Sequence, residues 1–397
     1  MPSKSRLSDR VNRVKPSLTL VITAKAAELR RAGRNIISLG AGEPDFGTPE
    51  HIKAAGIEAI EKEHTRYTAV DGIPELKEAI IAKFKRDNQL TFGMDQILVS
   101  SGGKQSFYNL CQGVLNDGDE VIIPAPYWVS YPDMALLAGG EPVIIEAGIE
   151  QGFKITAEQL AAAITPKTKM MVLNSPSNPT GAVYTAEELK AIGAVLAKHP
   201  NIIIASDDMY EHILLGDEPF TNILEVCPEL TDRTVVMNGV SKAYSMTGWR
   251  IGYAGGPVDL ITAMRKVQSQ STSNPCSISQ YASVEALNGP QECIQTMLTE
   301  FKKRHDFVVE RINRIPGFKC IPAAGAFYAF MDVKDAMKAK GYTSDADFAT
   351  AILEDVDVAA VPGSGFGSEG YLRISFATSM ENLVEALDRI DRFVQKG

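Results

Sequence analysis

Cysteine is scarce in this chain. The five cysteines, Cys111, Cys227, Cys276, Cys293 and Cys320, are scattered through 397 residues, and no two are spaced as C-x-x-C. That pattern excludes a disulfide framework and a cysteine zinc site, and it fits reduced thiols in the cytoplasm. Long apolar runs are missing as well. No stretch approaches the ~18 residues that span a bilayer, so no membrane partner is expected. Residues Met1 to Leu20 lack the apolar segment of a secretory signal, so no export is expected. Positive charge is not in excess: 40 Lys and Arg stand against 49 Asp and Glu, a net charge of -9. Nucleic acid is thereby excluded as a bulk electrostatic partner, although a local site for a small anion is compatible with that balance. Internal repeats and low-complexity linkers are also absent.

What is present is globular material. Hydrophobic residues make up 45% and charged residues 22% of the chain, a mixture that buries a large core without covalent staples at this length. Runs rich in Ile and Val predict strands at Ile97–Ser100, Glu120–Ile123, Pro142–Ile145, Met170–Asn174, Ile202–Ser206 and Thr234–Asn238. They read as apolar on both faces, as strands of a covered parallel sheet do. Helical patterns at Lys104–Leu115, Ala157–Ile164 and Thr185–Lys198 lie between them, and this alternation predicts an α/β sheet covered by helices. From about Gln291 the order changes. A charged helical pattern at Gln295–Ile315 is followed by strand candidates at Phe327–Met331, Val358–Val361 and Leu372–Phe376, and then by a helix at Met380–Val394. The expected layout is a large domain over residues 46–290 and a small α+β domain over residues 291–397. Residues 1–45, including a helical pattern at Leu20–Ala32, are expected to join the small domain.

Polar residues collect where the predicted strands end, the edge at which open parallel sheets bind ligands. Gly102-Gly103-Lys104 follows one strand and opens a helix, so its free amides suit an anion. Trp128 sits just past the next strand and offers a flat ring for stacking. Asn178 lies in Asn178-Pro179-Thr180-Gly181, a rigid turn that aims its amide. Asp207 follows an apolar strand, with Tyr210 three residues on. Ser241-Lys242 ends another strand, and Arg250 follows eight residues after Lys242. A lysine at an apolar strand end can lose its proton and form a Schiff base, while an arginine can fork onto phosphate. Taken singly, each feature has an ordinary structural explanation. Taken together, they are the parts that pyridoxal phosphate requires: a phosphate cradle, a stacking ring, a carboxylate for the pyridine nitrogen, a phenol and an imine-forming lysine.

This combination resembles the class I aminotransferases of the fold type I pyridoxal-phosphate architecture, most closely the gamma subgroup of bacterial aspartate aminotransferases. The resemblance covers essentially the whole chain. It rests on Ser38-Leu39-Gly40-Ala41-Gly42-Glu43-Pro44-Asp45-Phe46, Tyr67-Thr68, Gly102-Gly103-Lys104, Pro126-Tyr127-Trp128-Val129-Ser130-Tyr131, Asn178-Pro179-Thr180-Gly181, Asp207 with Tyr210, Ser241-Lys242, Gly248-Trp249-Arg250-Ile251-Gly252 and Arg373-Ile374-Ser375. It implies that Lys242 carries pyridoxal 5'-phosphate and moves the substrate's α-proton. It further implies that Asp207 partners the pyridine nitrogen, that Tyr210 and Asn178 donate to the phenolic oxygen, and that Trp128 stacks on the ring. Gly103, Lys104, Ser241 and Arg250 fall in the phosphate-contacting segments. Tyr67 is implied to reach the phosphate of a second copy, in a homodimer with shared sites. Arg373 is implied to clamp the substrate α-carboxylate, and Gly42 to touch substrate from the N-terminal segment. Lys104, Lys15 and Thr19 match positions that recognise a distal carboxylate or prephenate. The chain departs from many relatives at Gly239, where they carry serine, and at Asp208, where they carry glutamate.

The expected activity is therefore transfer of an amino group between L-aspartate and 2-oxoglutarate by a ping-pong mechanism, with prephenate as a further candidate acceptor. The alternative on the same fold is a β-lyase, or an aminotransferase of another amino acid. A dehydrogenase would need G-x-G-x-x-G between strand and helix, and Gly363-Ser364-Gly365-Phe366-Gly367 has the wrong spacing. A ligand-sensing transcription regulator would need a DNA-binding module that the sequence does not show. No metal is expected.

Overall fold

Burial on two faces explains why the apolar runs form strands. The computed structural model describes residues 6–15 and 18–396, without the side chains of residues 18–20. In chain order the strands are β1 (Ile37–Ser38), β2 (Ile97–Ser100), β3 (Glu120–Ala125), β4 (Glu141–Glu146), β5 (Thr168–Asn174), β6 (Ile203–Asp207), β7 (Thr234–Gly239), β8 (Gly252–Gly255), β9 (Lys319–Cys320), β10 (Tyr328–Asp332), β11 (Val358–Ala359), β12 (Val361–Pro362) and β13 (Tyr371–Ser375). Strands β2 to β8 make one seven-stranded sheet in the order β2-β8-β7-β6-β5-β3-β4. The pairs from β7 through β6, β5 and β3 to β4 are parallel. Strand β8 runs antiparallel to both β2 and β7.

All six predicted strands of this sheet are present, but one differs in setting. The run Pro142–Ile145 lies in β4, an edge strand that, unlike the buried edge strand β2, is only partly covered, and Ile144 is 39% exposed. Strand β8, Gly-Tyr-Ala-Gly, was not predicted because it has no Ile or Val. Its composition follows from its neighbours: a Cβ on Gly252 would lie 2.2 Å from the Gly103 nitrogen and 2.4 Å from the Gly102 carbonyl carbon. The strand is legible only once that crowding is known.

The helices start where capping chemistry allows. Thr185 accepts from the Glu188 amide and Glu188 reaches back to Thr185, while Thr156 and Gln159 do the same one unit earlier. Several helices give a blurred sequence pattern because they bury polar side chains. The helix Pro74–Asn88 buries Lys77, Lys83 and Asn88, and Ser277–Asn288 buries Ser279, Gln280 and Ser283.

The remaining strands organise the C-terminal part. Strands β12, β13, β10 and β9 form an antiparallel sheet, while β1 pairs in parallel with β11. The predicted strand Val358–Val361 is thus two short strands, divided at Ala360 because each half serves a different sheet. The helix Leu18–Arg31 sets Ile22 and Ala26 against Leu353 and Ala359, so the N-terminal segment packs on the C-terminal elements. The expected helix at Gln295–Ile315 runs from Glu292 to Ile312, and the last helix from Met380 to Gln395. All five cysteines are free, and among the described residues no helix is long and apolar enough to cross a membrane.

The Gly252 contact is testable. Gly252→Ala forces backbone against backbone, and overpacking of this kind costs about 1–3 kcal/mol. Urea unfolding is expected to show that loss; an unchanged midpoint would mean that β8 shifts freely away from the Gly102–Gly103 turn.

Candidate active site

The carboxyl ends of β5, β6 and β7 and the turns after β2 and β3 converge on one cavity of about 290 Å³. Of the residues expected to form a site, Gly42, Gly103, Lys104, Trp128, Asn178, Asp207, Tyr210, Ser241, Lys242, Arg250 and Arg373 all line it. Tyr67 does not; its side chain is 92% exposed on the outside of the chain. Lys15 is exposed and lies close to Asp133 rather than in the cavity wall. The side chain of Thr19 lies outside the described residues.

Lys242 stands in the turn after β7 and donates from Nζ to the Gly42 carbonyl at 2.5 Å. The same Nζ is 5.7 Å from the centre of the Tyr210 ring and 5.9 Å from that of Phe327. Burial and the nearby Arg373 and Arg250 lower its pKa to about 8, against the opposing pull of Glu43 and Asp207. A substantial fraction of this lysine is therefore neutral near physiological pH, as a nucleophile or base requires.

Asp207 is the last residue of β6. It does not cap a helix: Oδ1 accepts from the Met209 amide at 3.2 Å, and Oδ2 accepts from the Tyr131 hydroxyl at 2.5 Å. Burial raises the carboxyl's pKa, while the Tyr131 hydrogen bond, the Met209 amide and Lys242 oppose the shift. Tyr210, in the same turn, shares a 2.8 Å hydrogen bond with the Tyr328 hydroxyl. Trp128 packs edge-on against Tyr131, with ring centres 5.2 Å apart.

The opposite end of the cavity is built for anions. The helix Gly103–Val114 opens there with no side-chain cap, so its first amides have no partner within the helix. Gly102 takes φ +89°, and a Cβ on it would sit 2.3 Å from an Arg250 Nη; only glycine lets the guanidinium approach so closely. Arg250 itself has φ +59° and is held by the carbonyls of Thr247 and Ser101. A left-handed arginine costs roughly 1–2 kcal/mol, which the surrounding contacts offset. Lys104 sits 5.1 Å above the Trp128 ring. Burial and Arg250 lower its pKa, with Asp133 opposing.

Arg373, from β13, is 3% exposed. It donates to Asn178 Oδ1 at 2.8 Å and to the Gly40 carbonyl at 2.7 Å, and its guanidinium lies 4.4 Å from the centre of the Tyr328 ring. Its Nε has no hydrogen-bond partner. A buried guanidinium lining a cavity, with an N–H still unpaired, has hydrogen-bonding capacity to spare for a carboxylate.

Residues without an assigned role also line the cavity, Tyr131 and Tyr328 among them. Tyr131 falls three residues after Trp128, and only the fold reveals that its hydroxyl meets Asp207. Tyr328 reads as an interior strand residue in sequence, and nothing local marks it as polar-facing. The departure at Gly239 also has a physical reason. A Cβ there would lie 3.0 Å from the Ile251 carbonyl and 3.1 Å from the Gly252 Cα, so a serine fits only if β8 moves.

Sheet, cavity and side chains together define a fold type I transferase. A profile of the family described as aminotransferase class I and II matches residues 34–390, and the chain belongs to that family. It is 60% identical to the aspartate/prephenate aminotransferase of Nitrosomonas europaea, over 97% of this chain and 98% of that one. The crystal structure of the aspartate aminotransferase from Rhizobium meliloti matches it with a TM-score of 0.95 at 48% identity, covering 99% of each chain. The aspartate aminotransferase from Thermus thermophilus with maleate matches with a TM-score of 0.92 at 43% identity, covering 98% of this chain and 99% of that one. The protein is thus an enzyme, an aminotransferase.

The lowered basicity of Lys242 can be read directly. Labelling of the cofactor-free protein at Lys242 by a small aldehyde and borohydride is expected to accelerate with pH up to about 8 and then level off. A rate still climbing towards about 10, as for an ordinary lysine, would show that the cavity does not depress it.

Proposed function

We propose that this aminotransferase uses pyridoxal phosphate to exchange amino groups between L-aspartate and 2-oxoglutarate. The observation that carries the reading is the pairing, in one cavity, of the weakly basic Lys242 with the buried Arg373 whose Nε is unpaired. The residues fit the cofactor: an uncapped helix start with glycines for the phosphate, Trp128 for the ring, and Asp207 for its nitrogen. When bound, pyridoxal phosphate supplies an aldehyde carbon that exchanges nitrogen with amino acids and a ring that accepts the electron pair released when the α-proton leaves.

The chain's own residues do the rest. Asp207, fixed by Tyr131 and the Met209 amide, would hold a proton on the ring nitrogen. Tyr210 and Asn178 would donate to the phenolic oxygen, and Gly103, Ser241 and Arg250 would surround the phosphate end. Arg373 holds the α-carboxylate and so orients the α-hydrogen. Lys242 Nζ takes the α-proton, a step that needs it neutral and is favoured by its lowered pKa. Gly42 closes the cavity from the N-terminal segment.

Aspartate is the proposed donor because Lys104 adds a second cation at the cavity mouth for a distal carboxylate. The names of the Nitrosomonas europaea, Rhizobium meliloti and Thermus thermophilus proteins support that reading. Prephenate is a further proposed acceptor, with Lys15 and Thr19 on the N-terminal segment in its recognition. We also propose a large domain at residues 46–290 and a small one from residues 1–45 and 291–397. The apolar cluster around Phe301, Phe327, Phe348 and Phe376, built mostly from residues after 291, supports that division.

An assay with aspartate and 2-oxoglutarate tests the reading: oxaloacetate and glutamate are the expected products. Pyruvate and ammonia from cystathionine, with no oxaloacetate from aspartate, would make the protein a β-lyase instead. Lys104→Ala removes a charge-assisted contact of about 1.5–3 kcal/mol. It is expected to raise KM for aspartate by roughly 10- to 100-fold with little change for an aromatic donor. An equal loss for every donor, with weaker cofactor retention, would place Lys104 on the phosphate.

A homodimer with shared sites is proposed from Tyr67, which is exposed, as are the large apolar side chains of Ile57 and Ile60. Mixing Lys242→Ala chains with Tyr67→Ala chains is then expected to give more activity than the average of the parents, since one site of the hybrid carries neither lesion. No gain in a mixture shown by native mass spectrometry to contain hybrids would end the shared-site reading.

A further inference from the structure

The turn that carries Asp207 and Tyr210 has a second side. Asp207 and Tyr210 face the cavity, whereas Asp208 and Glu211 point beneath it into a buried polar layer. Glu211 is 4% exposed and forms an ion pair with Lys83, which is 1% exposed. The same carboxylate accepts from Asn238 Nδ2 at 2.6 Å and from Asn88 Nδ2 at 2.7 Å, while Lys83 donates to Asn88 Oδ1 at 2.7 Å. Asn238 in turn accepts from the Gly239 amide at 2.7 Å, three residues before Lys242. Asp208 accepts from Ser206 and Asn222, and its amide donates to the Met237 carbonyl at 2.9 Å.

Titratable groups near this layer include Asp87, 3.8 Å from Lys83, His212, 3.4 Å from Glu211, and Glu225, Tyr244 and Tyr253, which couple to Glu211 through space. Asp208 is buried beside Glu211, and both effects push its carboxyl up to about 8. Burial acts to raise the Glu211 pKa, but Lys83 and His212 hold it below the usual carboxylate range. Ligand atoms of Asp87, Glu211 and His212 come within 4.8 Å of one another, as around a metal, but the Lys83 ammonium already supplies the cation there.

A buried ion pair is a costly way to gain stability, since apolar residues of the same shape do as well or better. What an ionised carboxylate gives instead is direction: up to four lone-pair sites that fix several donors at once. Here the donors come from the helix Pro74–Asn88 and from β7. We propose that the Glu211–Lys83 pair is a positioning element that sets the turn bearing Asp207 and Tyr210 in register with the strand end bearing Lys242. The proposal rests on the reading of Tyr210 and Asp207 as partners of the cofactor ring.

The test uses the pyridoxal-phosphate-loaded enzyme and reads the pH midpoint of its visible absorption, together with the cofactor's dissociation constant. Tyr210→Phe serves as the reference and is expected to move the midpoint by about one unit. Lys83→Met with Glu211→Leu removes both charges and keeps an apolar filling. It is expected to move the midpoint in the same direction by about half a unit, a three-fold change in the equilibrium, and to weaken cofactor retention several-fold. Asn238→Ala, which keeps the ion pair and cuts only the link to the strand, is expected to shift the midpoint likewise and serves if the double variant does not fold. If Tyr210→Phe moves the midpoint while Asn238→Ala and any folded double variant leave it at the wild-type value, the pair is scaffold only and the proposal is wrong. If Tyr210→Phe leaves it unmoved, the reading of Tyr210 fails, and the proposal falls with it.

Discussion

Like charges held together without enough counter-charge are the constraint on which this structure depends. Lys104, Lys242, Arg250 and Arg373 line one cavity, and among the described residues Asp207 is the only carboxylate in its lining. Left to themselves such groups would spread into solvent. Here they are anchored by carbonyls: Gly42 for Lys242, Gly40 for Arg373, and Thr247 and Ser101 for Arg250. Burial, reinforced by neighbouring arginines, lowers the basicity of both lysines, and burial alone lowers that of Arg373. A chain of net charge -9 thus carries a concentrated positive interior that anionic ligands complete.

The scaffold that bears this cost is drawn from both ends of the chain. The N-terminal segment pairs through β1 with β11, and Ser375, just past Arg373, donates its amide to the Leu39 carbonyl at 2.7 Å. That pairing places the carbonyls of Gly40 and Gly42 over Arg373 and Lys242. A strap a few residues long therefore satisfies two cations that lie far apart in sequence, and the parallel sheet provides the rigid floor beneath them.

Most of this was legible in the sequence where the chemistry is local. The strands with Ile and Val on both faces were found because burial leaves a direct mark on composition, and the strand ends supplied the lysine, the carboxylate and the glycine turn. Strand β8 escaped because backbone crowding against Gly102 and Gly103 selects glycine, which erases the apolar pattern. The helix Pro74–Asn88 escaped for a related reason, since Lys77, Lys83 and Asn88 are polar yet buried. Tyr131 and Tyr328 escaped as site residues because a buried tyrosine looks like core until its hydroxyl's partner is known. Tyr67 was singled out through family resemblance alone, and nothing in this chain's own cavity needs it.

The outer strand of the central sheet has a consequence for life at high concentration. In β4 the amides of Glu141 and, just past its end, Ala147 bond inward to the carbonyls of Asp119 and Ala125. By alternation the nitrogen of Pro142 faces the free edge, where it has no hydrogen to offer an incoming strand. Glu141 and Glu146 bracket the run and are both exposed. A stray chain approaching this rim meets a missing donor and two negative charges, so the sheet ends there without templating a fibril.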